Sequence, residues 1–155
     1  MAHRFTITRR VEFADTDLAG IMHFANYFRY MEAAEHAFFR SLGRSVHPPA
    51  DDESGLAGTG WPRVNVSCDY RAPIAFEEEV EIELLVEEVG EKSIRYQFRF
   101  WKTEGEERRF AALGRMTSVC VQMNDASGVM KAIRIPGELR EKIEAAPPEA
   151  LEDAE

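Results

Sequence analysis

One long stretch of the chain spaces its apolar residues for a helix: Tyr27, Met31, Ala34, Phe38 and Leu42 recur every three to four positions, and Phe28 and Phe39 widen the stripe. The other apolar segments alternate. Phe5, Ile7, Val11 and Phe13 mark a first strand over Phe5 to Phe13, and further strands are expected over Val64 to Arg71, Val80 to Val89, Ser93 to Thr103 and Phe110 to Met123. Gly90-Glu91 and Glu104-Gly105 punctuate the last three as hairpin turns, which makes them antiparallel neighbours. A single helix of this kind buries its stripe by lying on one face of a sheet. The order of one strand, one helix and four strands therefore predicts an α+β fold, an antiparallel five-stranded sheet wrapped around one long central helix. The other sheet face and the edges need partners, so oligomerisation is expected. Asn26 is expected as the helix N-cap and Gly43 as the residue just past its end.

A chain of 155 residues has room for one domain and one active site. That domain is expected over residues 1 to 136. Residues 137 to 155 are expected to hold a short helix up to Ala145, then Pro147-Pro148 and a frayed acidic tail with Glu149, Glu152, Asp153 and Glu155. A formal charge of −9 disfavours nucleic acid or an anionic membrane as the main partner. No segment approaches the roughly 18 apolar residues of a membrane span, and a cytoplasmic location is the expectation. Cys68 and Cys120 sit in apolar segments with no Cys-x-x-Cys spacing and read as buried packing residues, while His3, His36 and His47 stand isolated, so no metal site is predicted. Residues 44 to 61, with Pro48, Pro49, Asp51 and Asp52, form a long connection of the kind that often serves a site.

The chemistry is expected in the turn-rich run Ala14-Asp15-Thr16-Asp17-Leu18-Ala19-Gly20, between the first strand and the helix. Asp-Thr-Asp before a helix is ordinary turn and capping chemistry. Its setting adds something more: Gly20 permits close backbone approach, and the start of the helix offers unpaired N–H groups with partial positive charge. A carboxylate beside such amides can attack, or deprotonate water at, a carbonyl whose oxygen the amides hold.

The run Val11-Glu12-Phe13-Ala14-Asp15-Thr16-Asp17-Leu18-Ala19-Gly20-Ile21, with Ala25-Asn26-Tyr27-Phe28-Arg29-Tyr30-Met31-Glu32 after it, resembles the signature of 4-hydroxybenzoyl-CoA thioesterase-like hotdog proteins. The likeness continues through Pro62, Tyr70 and Pro73 into the final strand, roughly residues 5 to 136. It implies a hotdog fold and an acyl-CoA thioesterase. Asp17 would be the catalytic carboxylate, as nucleophile or general base, and a helix-start backbone amide near Phe24 the oxyanion donor. This places the first helical turn a little before Asn26. Asp15 is expected to be structural, and Asn26 to hold the loop or support Asp17. His23 is a candidate proton-transfer assistant, one position from where several relatives carry a histidine. Another branch of the family places a catalytic glutamate on the helix, which makes Glu32 and Glu35 further candidates.

The same resemblance implies that Lys92, Ser93 and Lys131 contact the CoA nucleotide, with Arg63 and Arg134 as additional cations. Gly20 and the Thr59-Gly60-Trp61 segment are expected to line the substrate pocket, Trp61 either stacking on an aromatic acyl group or belonging to the core. No cofactor or metal is called for beyond the CoA of the substrate. A homodimer or homotetramer with sites at the subunit interface is expected. A non-catalytic acyl-thioester-binding module and a hotdog hydratase or dehydratase are the alternatives, although the latter usually pairs a His with a helix acid and no such pair stands out here.

Overall fold

The computed structural model describes residues 1 to 124 and 128 to 152. A five-stranded antiparallel sheet is built from β1 (Arg4–Arg10), β3 (Arg63–Tyr70), β4 (Glu79–Val89), β5 (Ser93–Glu104) and β6 (Glu107–Val119), in the order β1-β4-β5-β6-β3. The helix α1 (Asn26–Ser41) lies across one face. Its buried residues Met31, Ala34 and Phe38 meet Ile82, Leu84 and Val86 of β4 and Tyr96, Phe98 and Phe100 of β5, all in one apolar cluster. This is the hotdog arrangement expected from the resemblance. Each large side chain in that cluster contributes on the order of 2 kcal/mol by leaving water.

Close approach of helix and sheet depends on Gly114 in β6. A Cβ there would fall 2.0 Å from Met31 Cε and 2.8 Å from its Sδ. Gly114→Ala is expected to cost roughly 1 to 3 kcal/mol, because the fully buried methionine has to move aside. A urea midpoint shifted downward with an unchanged slope would show it.

The helix ends as read from the sequence. Leu42 is the last half-helical residue, Gly43 follows at φ 73°, and the amides of Gly43 and Arg44 close back onto the Arg40 and Phe39 carbonyls at 2.9 and 3.0 Å. Its start differs. Asn26 is the first helical residue and Ala25 the N-cap, so the capping role expected of Asn26 does not hold.

Three further differences have physical causes. The first strand stops at Arg10, and Phe13 enters a 3-10 turn over Phe13–Asp15 with its ring exposed, because Asp15 folds back to accept the Glu12 N–H at 3.0 Å. The last predicted strand breaks at Cys120, beyond which β7 (Val121–Asn124) pairs with β2 (Thr59–Gly60) and with β8 (Val129–Ala132) in a separate three-stranded sheet. Such short segments carry too few residues for a period to register.

The C-terminal helix is shorter than expected, α2 covering Gly137–Arg140, and a second turn α3 (Pro148–Glu152) follows. Thus Glu149 and Glu152 sit in a helix, while Asp153 and Glu155 lie outside the described residues. α2 packs near the end of α1, with Glu138 on Arg44 and Leu139 in the core cluster, and the chain from Ala146 onward reaches the sheet face opposite α1. The Ala146 N–H donates to Val86 O at 2.7 Å and Arg99 Nη2 donates to Ala150 O at 2.6 Å, over a polar layer in which Arg99 Nε also donates to Gln97 at 2.9 Å and Arg99 Nη1 lies 3.7 Å from Glu83. The chain itself therefore covers part of the face that was expected to need a partner. Among the described residues, no helix is long and apolar enough to cross a membrane.

Candidate active site

The loop before α1 is held by Asp15 rather than by Asp17. Asp15 Oδ2 accepts the Tyr30 hydroxyl at 2.7 Å as well as the Glu12 amide, and the Asp15 carbonyl accepts the His23 N–H and Asn26 Nδ2, both at 2.8 Å. Burial and the bond to Asp15 push the Tyr30 phenol well above its ordinary range. These contacts give Asn26 the work of tying the helix start to the loop.

With the loop fixed in this way, Asp17 stands exposed at its tip. Its Oδ1 accepts the Ala19 N–H at 2.8 Å, its own N–H donates to Ile21 O at 2.9 Å and its carbonyl accepts the Gly20 N–H at 3.0 Å. Gly20 serves this tight turn through its φ of 78°, and among the described residues no heavy atom would meet a Cβ there. Among the described residues, the second carboxylate oxygen of Asp17 has no hydrogen-bond partner.

Asp17 borders a cleft of about 310 Å³ lined by Ile21, Met22, Phe24, Tyr27, Tyr70 and the segment from Arg71 to Pro73. Three aromatic side chains make it suited to a flat apolar group. The Phe24 N–H has no acceptor among the described residues, although the amides of Met22, His23, Ala25 and Asn26 around it are all bonded. Asp17 and Phe24, the residue with the open amide, therefore line one cleft. That pairing can hold a carbonyl oxygen while a nucleophile reaches the carbon.

The remaining sequence-predicted residues lie elsewhere in the chain. Thr59 is buried with its hydroxyl on Leu56 O at 2.6 Å, and Trp61 is only 8% exposed, edge-on to Phe39 at 5.7 Å between ring centres. Trp61 thus belongs to the core, and with Gly60, Glu32, His36 and Arg63 it borders a second depression of about 380 Å³. Lys92 and Lys131 are exposed, on the β4–β5 turn and on β8, and Ser93 opens β5. Near them Arg134 pairs with Glu91 at 2.8 Å, and Arg140, which drew no notice in the sequence, donates to the Gly90 and Glu91 carbonyls and lines a depression of about 490 Å³ with Arg134.

Arg63 is not a surface cation. A register shift against β6 between Arg63 and Asn65 breaks the two-residue alternation and turns Arg63 toward the helix. There Nη2 donates to Glu35 Oε1 at 2.6 Å and to Glu32 Oε2 at 3.3 Å, while Nη1 donates to Trp61 O at 2.6 Å. The Ser118 hydroxyl completes the group at 3.4 Å from Glu35 Oε2. Glu35 has no exposed surface. Sequence reading placed it on the helix without seeing that it was buried, because a lone glutamate in an apolar stripe has no signature of its distant partner.

Burial pushes the Glu35 carboxyl up to about 7, with Arg63 pulling against the rise. The folded state therefore holds this proton over a range where the unfolded chain, near the ordinary value of about 4.5, has released it. The resulting stability is fully present below that ordinary value and is lost as the pH climbs through 7. Glu35→Gln is expected to flatten the decline, which is on the order of 3 kcal/mol in native protein. Urea melts at pH 5 and pH 8 measure it directly.

Residues 11–143 match the family model of the thioesterase-like superfamily. A chain from Aquifex aeolicus (strain VF5) is 30% identical over 137 residues, covering 88% of this chain and 95% of its own length. The 4-hydroxybenzoyl-CoA thioesterase of Pseudomonas sp. (strain CBS-3) is 32% identical over 93 residues, 60% of this chain and 64% of that one. A crystal structure of a mutant 4-hydroxybenzoyl-CoA thioesterase complexed with 4-hydroxybenzoyl-CoA superposes with a TM-score of 0.78 at 26% identity, covering 90% of this chain and 98% of that one. A gentisyl-coenzyme A thioesterase does so at 0.72 and 29% identity, covering 88% of this chain and 99% of that one. With this match over most of its length and the shared fold, the chain belongs to the thioesterase-like superfamily.

Proposed function

We propose that the protein hydrolyses an acyl-CoA thioester to free acid and CoA in the Asp17 cleft. The observation that carries this reading is the juxtaposition of the Asp17 carboxylate with the unpartnered Phe24 amide. The thioester oxygen accepts the Phe24 N–H, which stabilises negative charge as the carbonyl carbon becomes tetrahedral. Asp17 either attacks that carbon, expelling CoA thiolate and leaving an anhydride that water opens, or takes a proton from the water that attacks. Both routes end in the same acid and thiol. Phe24, Tyr27 and Tyr70 around the cleft favour an aromatic acyl group, as do the 4-hydroxybenzoyl and gentisyl substrates named for two of the similar proteins.

The reading includes a second copy of the chain. β3 is an edge strand exposed along most of its length, with Val64 and Val66 61% and 45% exposed, and it is open to pairing with its counterpart. Such a homodimer, or a tetramer of two, would bring one chain's Lys92, Ser93 and Lys131 toward the other's Asp17, which a single chain keeps apart.

Thiol release from a panel of short, long, branched and aromatic acyl-CoAs tests the function. Turnover of aromatic acyl-CoAs supports it, whereas tight binding without thiol release identifies a binding module. Hydration of an unsaturated acyl group with the thioester intact points to a hydratase.

A further inference from the structure

The helix start contains a clamp around the Phe24 amide. In the run from Met22 to Asn26 four amides have acceptors: Met22 on Ile74 O at 2.7 Å, His23 on Asp15 O at 2.8 Å, Ala25 on His23 Nδ1 at 3.1 Å and Asn26 on His23 O at 2.9 Å. Phe24 lies in the middle of this run. The carbonyl on its far side accepts the Tyr70 hydroxyl at 2.9 Å, and Tyr70 comes from β3, 46 positions away. The Tyr70 ring is wedged edge-on against Tyr27 at 4.9 Å and borders the cleft together with Phe24. On the other side, the His23 ring stacks on the Phe24 ring at 4.5 Å and 26°.

We infer that Tyr70 and His23 are positioning residues for the proposed thioester hydrolysis, holding the Phe24–Ala25 peptide by its oxygen and by its N–H so that the adjoining Phe24 N–H is left to meet the substrate oxygen. An oxyanion donor is useful only if it is fixed in place before the reaction, since reorientation during charge development forfeits most of its effect. Helix-start peptides are loose by nature, having neighbours on one side only. The phenol hydroxyl supplies a fixed point from the sheet. The imidazole acts as a cap: its Nδ1 accepts the Ala25 N–H, so that neighbouring amide is already engaged. Tyr70 drew notice in the sequence only as part of a motif.

This inference rests on the thioesterase reading, and the experiment separates the two. Tyr70→Phe keeps the ring and removes only the hydroxyl. It is expected to lower kcat about tenfold with KM within about a factor of two, because the loss falls on the transition state and not on binding. His23→Ala is expected to behave alike, and His23→Asn, which restores a side-chain acceptor for the Ala25 amide, to recover most of the loss. Melting curves of each variant accompany the kinetics. A native kcat in Tyr70→Phe overturns the inference, as does a fall in kcat that follows the fraction unfolded at the assay temperature, or a His23→Asn no better than His23→Ala. Asp17→Asn is assayed alongside: if it is inactive while Tyr70→Phe is native-like, the clamp fails alone, and if it retains full activity the thioesterase site itself is misplaced and the clamp falls with it.

Discussion

Arg63→Met is expected to destabilise the protein by about 3 to 5 kcal/mol at pH 8, the usual cost of leaving a buried charge without its partner. Glu35 is fully buried and takes its shortest bond from Arg63. Methionine fills much of the same volume, so the loss reflects charge more than packing. The cost has a built-in relief. Without Arg63 the Glu35 carboxyl can protonate, and native Glu35 already sits at about 7 through burial. At pH 5.5 the same variant is therefore expected to lose much less, the remainder reflecting the missing bonds to Trp61 O and Ser118. Paired urea melts of native and variant protein at the two pH values check both the size and the sign. An equal loss at both would mean that Glu35 is not the group responsible.

The architecture was legible because its signals are periodic. The stripe from Tyr27 to Leu42 and the alternation from Val80 through Phe100 each repeat often enough to name the element, and an isolated helix beside several strands leaves few ways to bury both. What escaped notice depends on contacts between residues far apart in the chain. Arg63 read as a candidate cation for the CoA nucleotide because the bulge that turns it toward Glu35 has no sequence mark. Trp61 read as either pocket or core until Phe39 settled beside it. The cover over the outer sheet face needed Arg99 and Ala150, 51 positions apart.

Within the candidate site the residue types were readable and their partners were not. Asp15 and Asp17 share one turn and look alike in sequence, yet Tyr30 binds the first and leaves the second exposed. The open amide of Phe24 was expected from the family resemblance alone. That it is open because its neighbours are all engaged was visible only once His23, Tyr70 and Ile74 had been brought around it.

Asp17→Asn is expected to abolish nearly all turnover, a fall of about 10³-fold in kcat if the carboxylate is nucleophile or general base. The fold should be spared. The side-chain oxygen that accepts the Ala19 N–H survives in asparagine, so the turn keeps its bond, and melting curves should superimpose. An amide, however, is neither a nucleophile toward a thioester nor a base at neutral pH. The most direct measurement is thiol release from 4-hydroxybenzoyl-CoA and other aromatic acyl-CoAs by native and Asp17→Asn protein, each with its binding affinity. The account predicts release by the native protein and, in the variant, retained binding with release reduced by about three orders of magnitude. Native-like release by a folded Asp17→Asn protein would contradict it and move the chemistry away from this cleft.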